Sequence, residues 1–462
     1  MKTKIIATYG PALDGKGVLE KALRFIDVIR INMSHGDAPR WLDAKERIER
    51  AAGRLGREVA FMADLPGPKI RLGVLEHDVA VKKGGQINFY YVGSKKPINA
   101  PNPVPVEYDL AGSVKEGSLA FIGDGSPQLR VTGTSDNAIT CVALEDGMLR
   151  SRKGLSIRNL RGGVSPPTDE DISLAEFARK HGFDFIAESF VRKPEDVEKL
   201  RNESKFNSII AKIETGDAVR SIDAIARETE ALMVARGDLA LDVGWTSFPA
   251  MQMEIIRSAR KHGKPVIVAT QLLASMVNSS KPTRSEPSDI AFAVYSGADA
   301  LMLSDETAAG KYPVEALSVL SEAAGNFEIF QGHKKHYTLY ESPGTLAAEI
   351  TAAASDISSR YNLSHIFVPT QSGGTAMMLS RHRPNAEIVA LSPDPGIRKS
   401  LKLHWGVSSI EISPYRSTDQ MLKRIGSIAE RMGIKNYAIL SGTPLRKGST
   451  DTLKIVAPRY VG

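Results

Sequence analysis

The chain has 462 residues, 42% of them hydrophobic and 24% charged, a composition typical of a globular protein with about three domains. No run of eighteen apolar residues occurs, and the first apolar run starts at Ile5, too early to leave room for a signal peptide, so we expect a cytoplasmic protein. Cys141 is the only cysteine, which excludes an internal disulfide and a cysteine-built zinc site. A formal net charge of +7 suits anionic partners, but the basic residues are scattered among acidic ones rather than gathered in a stripe.

Short apolar, β-branched runs alternate with longer amphipathic stretches, a pattern that predicts parallel strands joined by helices. Eight such runs indicate a closed (β/α)8 barrel of the TIM type. The predicted strands are Ile5–Thr8, Val28–Asn32, Val59–Asp64, Phe185–Ser189, Ile209–Ile213, Leu232–Ala235, Val266–Thr270 and Leu301–Ser304.

The barrel rhythm is interrupted after the third strand by short alternating runs such as Gln86–Val92 and Ala138–Leu144, which predict an inserted β domain, or lid. Gly123–Gly125 fits a tight turn inside the insert, and Gly162–Gly163 marks the return to the barrel. Thr168 and Asp171 have the spacing of a helix capping box where the barrel resumes.

A second alternation begins near Pro343 and predicts a three-layer α/β domain, with a helix ending near Tyr361. Its predicted strands are Ile366–Pro369, Ile388–Leu391 and Tyr437–Leu440. We therefore expect a barrel over residues 1–65 and 159–335, a β-barrel-like lid over 66–158, and a C-terminal domain for regulation and oligomerisation over 336–462.

Polar side chains cluster at the carboxyl ends of the predicted strands, where barrels of this type build active sites. Arg30, Asn32 and Ser34 are spaced two apart, so their side chains leave the second strand on one face. A barrel interior does not normally hold an arginine, which suggests an anion site. A structural ion pair between Arg30 and Asp64 is the alternative, and His35 taken alone would be an ordinary turn residue.

A second polar group follows the fifth and sixth strands. Lys212 and Glu214 are again two apart, and neighbouring strands lie about 4.8 Å apart, so Glu214 and Asp238 can both face one small, hard cation such as Mg²⁺. Lys212 would lie beside the metal, and a substrate anion would use its charge; a purely structural Lys–Glu pair is the alternative. Gly237 would allow close approach of a ligand to the backbone, or simply form a turn. Thr270 and Ser304 end the last two strands with hydroxyls that could also be helix caps.

These segments closely resemble the motifs of the pyruvate kinase family, and the resemblance runs from Thr3–Pro11 into the C-terminal domain. Six spaced motifs in the family's order are far more specific than any single glycine loop. They are Arg30–Gly36, Asp64–Arg71, Ala211–Glu214, Met233–Leu239, Val268–Gln271 and Met302–Thr307.

The resemblance implies transfer of a phosphoryl group from phosphoenolpyruvate to ADP, giving pyruvate and ATP in the last step of glycolysis, by a Mg²⁺- or Mn²⁺-dependent homotetramer. Arg30 and Lys212 would bind the substrate phosphate. The backbone at Gly237 and Asp238, with the Thr270 hydroxyl, would take its carboxylate. Thr270 and Ser304 resemble the polar end of a proton route, with water as an alternative donor. The remaining roles implied are metal ligation by Glu214 and Asp238 and nucleotide binding by Asn32, His35, Arg71 and Lys153.

The match has departures near a monovalent-cation site that, in many members of the family, involves positions matching Asn32, Ser34, Asp64 and the backbone of Leu65. The family's threonine and lysine after the third-strand aspartate are Leu65 and Pro66 here, and its glycine before Glu306 is Asp305. Its usual glutamate before Ile-Arg is Lys69. We expect the Lys69 ammonium to neutralise Asp64 and nearby phosphate charge in place of K⁺, so that K⁺ is not required. The alternative is a solvated lysine at the lid hinge with no role.

In the C-terminal domain, Thr370–Thr375 precedes a predicted helix and resembles the family's effector phosphate loop, with Thr370, Ser372, Gly373, Gly374 and Thr375 as candidate contacts. An ordinary serine N-cap is the alternative, and the basic loop Gly442–Ser449 favours an anion site.

Two other functions stay open at this point. A Mg²⁺-dependent aldolase or lyase could use Glu214 and Asp238 for enolate chemistry, and a nucleic-acid binder would explain the basic pI but not the scattered charge.

Overall fold

The computed structural model of the chain describes residues 1–94, 102–123, 125–135, 138–158, 160, 165–331, 344–442 and 450–456. Of the predicted features, Asp124, Gly162, Gly163, Pro343 and residues 443–449 of the basic loop lie outside these ranges. No helix in the described part of the chain combines the length and the apolar character that crossing a membrane requires.

The chain begins with three strands and two helices that form the first part of the barrel. A 3₁₀ turn, Pro11–Leu13, follows the first strand. These elements are β1 (Lys4–Thr8), α1 (Val18–Ala22), β2 (Val28–Asn32), α2 (Ala38–Arg54) and β3 (Ala60–Asp64).

The predicted insert follows β3 and consists of β strands in the described residues. One sheet has the order β11-β7-β8-β9-β5-β6, and β4 pairs with β10. Two segments of the chain join this lid to the barrel, and we call them the lid stem. They pair with each other through an isolated bridge between Arg71 and Gly154. The strands are β4 (Val79–Val81), β5 (Gln86–Tyr91), β6 (Pro103–Val106), β7 (Leu119–Ile122), β8 (Gln128–Ser135), β9 (Ala138–Ala143), β10 (Gly147–Leu149) and β11 (Leu155–Ile157).

The barrel resumes at α3, which begins with the predicted capping box: the Thr168 hydroxyl accepts from the Asp171 N–H, and the Asp171 carboxylate accepts from the Thr168 N–H. A 3₁₀ turn, Ala274–Val277, follows β15. The elements are α3 (Asp169–Lys180), β12 (Phe185–Glu188), α4 (Pro194–Ser204), β13 (Ile209–Ile213), α5 (Gly216–Arg220), α6 (Ile222–Glu228), β14 (Ala231–Ala235), α7 (Arg236–Val243), α8 (Phe248–Lys261), β15 (Val266–Ala269), α9 (Ser285–Ser296), β16 (Ala300–Leu303), α10 (Asp305–Ala308) and α11 (Pro313–Gln331).

Eight strands close a barrel in the order β1-β16-β15-β14-β13-β12-β3-β2, and every neighbouring pair is parallel. The predicted (β/α)8 barrel is therefore confirmed, with strand ends that lie within one residue of the predicted ones. One set of alternating side chains fills the interior, and the other set packs against the helices. The carboxyl ends of all eight strands meet at one face.

The C-terminal domain has a sheet of order β19-β18-β17-β20-β21, with helices α12 and α13 packed against one face and α15 against the other. The three-layer prediction is confirmed, but β19 and the antiparallel edge strand β21 were missed. The limits of the three domains stay predictions, since residues 159, 335 and 336 lie outside the described ranges. The elements are α12 (Leu346–Arg360), β17 (His365–Pro369), α13 (Gly374–Arg381), β18 (Glu387–Leu391), α14 (Pro395–Ser400), a 3₁₀ turn (Leu401–Leu403), β19 (Val407–Ile410), α15 (Thr418–Arg431), β20 (Tyr437–Ser441) and β21 (Thr452–Val456).

Candidate active site

On three strands of the barrel, the inward-pointing side chains change from apolar to charged near the carboxyl face. Val28, Met62 and Ile210 belong to the interior cluster. Because side chains on a strand alternate, the residues two positions further on also point inward. These residues are Arg30, Asp64 and Lys212, so on these three strands the barrel interior becomes charged towards the carboxyl face.

Asp64 lies between the two cations, Arg30 and Lys212. Its Oδ2 accepts a hydrogen bond from Arg30 Nε at 2.5 Å, and its Oδ1 accepts one from Lys212 Nζ at 3.1 Å. Burial alone would raise the pKa of the Asp64 carboxyl, but Arg30 and Lys212 outweigh it and hold this pKa below its usual value. The ion pair considered as an alternative for Arg30 is thus present, and Arg30 also lines the cleft above it.

Lys212 makes two further contacts with its ammonium group. Its Nζ lies 2.7 Å from Ser189 Oγ and 3.2 Å from Glu214 Oε1. Burial would lower the pKa of Lys212, but the charges of Asp64 and Glu214 raise it above its usual value. The three N–H bonds of Lys212 therefore all have protein acceptors within reach, and the side chain is held as a cation.

Glu214 follows β13, Asp238 lies in the first turn of α7 after β14, and both line the same cleft. Glu214 Oε2 accepts from the Phe190 N–H at 2.6 Å, and Phe190 has a positive φ of 59° that directs this N–H group. Burial raises the pKa of Glu214, Lys212 opposes that effect, and the carboxylate of Asp238 adds to it.

A divalent cation suits these two carboxylates, because both line one cleft and its charge would offset the repulsion that adds to the effect of burial on the pKa of Glu214. The described residues contain no group of three or more His, Cys, Asp and Glu side chains that could hold a metal ion. Mg²⁺ in proteins commonly takes only one or two carboxylates, with water and substrate oxygens as its other ligands. The pair is suited to that kind of site.

Lys69 contacts a different carboxylate from the one we expected. Its Nζ lies 3.1 Å from Asp238 Oδ1, whereas Asp64 is paired with Arg30 and Lys212. The expectation that Lys69 neutralises Asp64 is therefore wrong, because two more deeply buried cations already do so. Lys69 instead belongs to a group of three cations and three anions, Arg30, Lys69, Lys212, Asp64, Glu214 and Asp238, which we call the inner charge cluster.

The inner charge cluster forms the floor of a cleft of about 460 Å³ between the barrel face and the lid. The four residues expected at the nucleotide side also line this cleft, and so do Ser34 and Leu65 of the expected monovalent-cation site. Lys153 lies in the segment that leads from the lid back to the barrel. Arg71 lies in the segment that leads from the barrel to the lid, and it donates to the carbonyl of Arg152. The structure therefore brings the nucleotide-side candidates, Asn32, His35, Arg71 and Lys153, to one cleft.

Gly237 and Thr270 meet on the opposite side of the cleft. Helix α7 begins at Arg236, so Gly237 and Asp238 lie in its first turn, and the Gly237 N–H donates to Thr270 Oγ1 at 3.1 Å. Thr270 has a positive φ of 67°. Ser304 is not among the residues that line the cleft, and its buried Oγ has no hydrogen-bond partner in the described structure.

The candidate phosphate loop of the C-terminal domain leads into the N-terminus of α13. The N-cap of α13 is Gly373, with a φ of 83°, and the Gly373 N–H donates to Thr370 Oγ1 at 2.9 Å. The serine N-cap considered as an alternative is therefore wrong. Thr375 Oγ1 lies 2.6 Å from Thr450 Oγ1, which directly follows the undescribed basic loop. Ser372 is exposed, and Gly374 is the first residue of the helix.

Comparison with known proteins agrees with this geometry. A family model described as pyruvate kinase, barrel domain, matches residues 1–317, and one described as pyruvate kinase, alpha/beta domain, matches residues 348–456. The chain belongs to the pyruvate kinase family. The prediction from the sequence motifs is thus confirmed, and the aldolase or lyase alternative is not favoured.

Similar pyruvate kinases cover almost the whole chain. That of Corynebacterium glutamicum is 36% identical over 100% of this chain and 98% of its own length, and that of Thermotoga maritima is 34% identical over 98% and 99%. A crystal structure of a pyruvate kinase from Cryptosporidium parvum matches with a TM-score of 0.89 and 30% identity over 99% of this chain and 96% of that one. The barrel, lid and C-terminal domain are therefore the fold of this family.

Several residues of the site were missed from the sequence. Ser189 ended a predicted strand, at a position that points inward, and this alternation could have revealed it. Arg236 is buried, donates to the Thr270 carbonyl at 2.9 and 2.7 Å and pairs with Asp289 at 2.6 Å, so it fixes the backbone of Thr270. Glu306 accepts from the N–H groups of Leu273 and Ser304 and joins the last two strand ends. Both residues lie inside recognised motifs, but neither could be assigned a contact.

We predict that Ser189→Ala lowers kcat about tenfold or more, because the buried hydroxyl contacts Lys212 Nζ and donates to the Leu65 carbonyl at 2.7 Å. Steady-state kinetics with phosphoenolpyruvate and ADP measure the effect. Ser318→Ala, on the exposed side of α11, is the control and should leave kcat within twofold. A full kcat in Ser189→Ala would mean that this contact does not position Lys212.

Proposed function

We propose that the inner charge cluster binds phosphoenolpyruvate and transfers its phosphoryl group to ADP, giving pyruvate and ATP. The observation that supports this most directly is the convergence of Arg30, Lys212, Glu214, Asp238 and Thr270 in one cleft. Phosphoryl transfer depends on positioning and on charge stabilisation more than on covalent help. A rigid, charged floor of this kind supplies both.

Arg30 and Lys212 bind the substrate phosphate in this proposal. Arg30 uses Nε for Asp64 and Nη1 for Thr8, at 2.9 Å, so Nη2 remains to hold a phosphate oxygen. Lys212 has Asp64, Ser189 and Glu214 around its ammonium group, so it gives up one of these partners when the phosphate arrives. Glu214 is the partner that it gives up, since this carboxylate is also needed by the metal.

Glu214 and Asp238 hold Mg²⁺ or Mn²⁺ in this proposal. A divalent cation there would supply positive charge that offsets the negative charge of the substrate. The inner charge cluster has equal numbers of cations and anions, so its residues alone offer no excess charge to a multiply charged substrate. The excess positive charge that a substrate anion would use therefore has to include the charge of the metal.

The substrate carboxylate lies against the first turn of α7, where the Asp238 N–H has no acceptor in an earlier helical turn and the Gly237 N–H is shared with Thr270. The Thr270 hydroxyl accepts from the Gly237 N–H, which leaves its own proton free to face the substrate. Thr270 therefore stands at the polar end of the route that protonates the enolate. Ser304 stays a candidate for the same route, and its buried hydroxyl has no hydrogen-bond partner in the described structure.

ADP binds on the lid side, against Asn32, His35, Arg71 and Lys153. His35 and Lys153 are exposed, and Arg71 and Lys153 come from the paired chains of the lid stem. Their charges therefore come from both the barrel and the lid.

We also propose a homotetramer in the cytoplasm, and an effector phosphate at Thr370, Ser372, Gly373, Gly374 and Thr375.

The function is tested by a coupled assay of pyruvate formation from phosphoenolpyruvate, with and without ADP. We predict that Lys212→Met lowers the ADP-dependent rate at least about a hundredfold, because the ammonium group stabilises charge on the moving phosphoryl group. Lys199→Met is the control, since Lys199 donates to the Pro167 carbonyl outside the cleft. ADP-independent pyruvate formation, or near-normal turnover in Lys212→Met, would contradict the assignment.

We also propose that K⁺ is not required. The oxygens at the expected monovalent-cation site are already engaged: Asn32 Oδ1 accepts from the Ser34 N–H at 3.1 Å, the Leu65 carbonyl accepts from Ser189, and both Asp64 oxygens accept from cations. Lys69 adds a fixed positive charge to the same cleft.

We predict that the rate does not depend on added KCl, with ionic strength held constant by a large organic cation, and that Lys69→Glu makes the enzyme K⁺-dependent. The substitution would remove the positive charge of Lys69 beside the substrate phosphate. A bound K⁺ could then supply that charge instead. Lys69→Arg keeps the charge and should stay independent of K⁺. Strong activation of the unaltered protein by K⁺ would defeat this proposal.

A further inference from the structure

The two carboxylates proposed as metal ligands are each paired with a lysine in this structure. Glu214 is paired with Lys212, and Asp238 with Lys69. The two lysines differ in burial, since the Lys212 side chain is 12% exposed and that of Lys69 31%. Lys69 is therefore the cation of the inner charge cluster that can move with least rearrangement of the barrel.

Lys69 also lies near both carboxylates. Its ammonium group is 3.1 Å from Asp238 Oδ1, and Lys69 and Glu214 line the same cleft. A divalent cation between Glu214 and Asp238 would thus meet a like charge at short distance. The two cations repel each other, and each needs Asp238.

We propose that Lys69 is the counter-ion of Asp238 in the metal-free enzyme and that a divalent cation has to displace it, so that Lys69 weakens metal binding until the substrate arrives. The phosphate and carboxylate of phosphoenolpyruvate give the displaced ammonium group a new partner in the same cleft. Substrate and metal then bind cooperatively, because each removes a cost of binding the other. This inference rests on the proposed function, since it takes Glu214 and Asp238 as the metal ligands.

The position of Lys69 in the chain agrees with such a role. Lys69 lies directly before the two paired segments of the lid stem, where the Leu155 N–H donates to the Ile70 carbonyl at 2.9 Å. Its aliphatic part packs beside Gly154 of the returning chain, and a Cβ at Gly154 would lie 2.9 Å from Lys69 Cε. Only the end of the side chain has to move.

The test is the binding of Mn²⁺ to the full-length chain, measured from the electron paramagnetic resonance signal of free Mn²⁺, with and without phosphoenolpyruvate and without ADP. Lys69→Met removes the charge and keeps a long apolar side chain. We expect its Kd for Mn²⁺ without substrate to fall about fivefold, the effect of a partly exposed ion pair. Phosphoenolpyruvate should tighten Mn²⁺ binding by a larger factor in the unaltered protein than in Lys69→Met.

Two matched variants separate charge from structure. Lys69→Arg keeps the charge and should bind Mn²⁺ within twofold of the unaltered protein. Lys82→Met removes a lysine that pairs with Asp146 at 2.9 Å on the lid, away from the cleft, and should leave the Kd unchanged. Equal tightening in Lys82→Met would attribute the effect to net charge and overturn the inference.

Glu214→Gln distinguishes failure of this inference from failure of the proposed function. If Glu214→Gln loses Mn²⁺ binding and Lys69→Met binds no more tightly than the unaltered protein, the role of Lys69 is overturned and the metal site stands. If Glu214→Gln binds Mn²⁺ as tightly as the unaltered protein, the metal lies elsewhere and both are overturned.

Discussion

The site depends on one buried carboxylate placed between two cations. Asp64 is 1% exposed, and both of its oxygens accept from charged donors. Without it, Arg30 and Lys212 would lie in the top layer of the barrel with no negative charge between them, and removing one partner of a buried ion pair typically costs about 3–5 kcal/mol. Asp64 therefore allows the barrel to hold two cations close together, at the place where we propose that the substrate phosphate binds.

The same arrangement keeps the protein part of the site near neutral. Each carboxylate of the inner charge cluster has a lysine or arginine partner, so substrate and metal have to exchange partners with the protein when they bind. In our proposal Glu214 passes from Lys212 to the metal, and Lys212 passes to the phosphate. The reaction thus uses charges that are already in position, which limits the reorganisation needed in the transition state.

The barrel was predictable because its information is local and repeated. Apolar runs alternate with helical stretches, and two-residue spacing places Arg30 and Lys212 inside before any contact is known. The edge strands β19 and β21 were missed because short runs such as Val407–Ile410 contain two serines and lack a strong apolar pattern. The same limit applies to the short lid strands.

The partners within the site could not be predicted in the same way. The family resemblance places Lys69 near a cation site, but the choice between Asp64 and Asp238 depends on which cations are buried more deeply. The positive φ of Phe190 and of Thr270 aims backbone groups at the site and leaves no mark in the sequence. The place of Ser304 in a proton route stays a prediction, since its hydroxyl is buried at the end of β16 without a hydrogen-bond partner in the described structure.

The most direct test of this account is the kcat of Asp64→Asn, measured at saturating phosphoenolpyruvate, ADP and Mg²⁺ on protein whose circular dichroism matches that of the unaltered chain. Asparagine keeps the shape of the side chain and removes the charge that fixes both Arg30 and Lys212. The account predicts a loss of at least about a hundredfold in kcat. A kcat within a few-fold of the unaltered protein would contradict the claim that Asp64 organises the site.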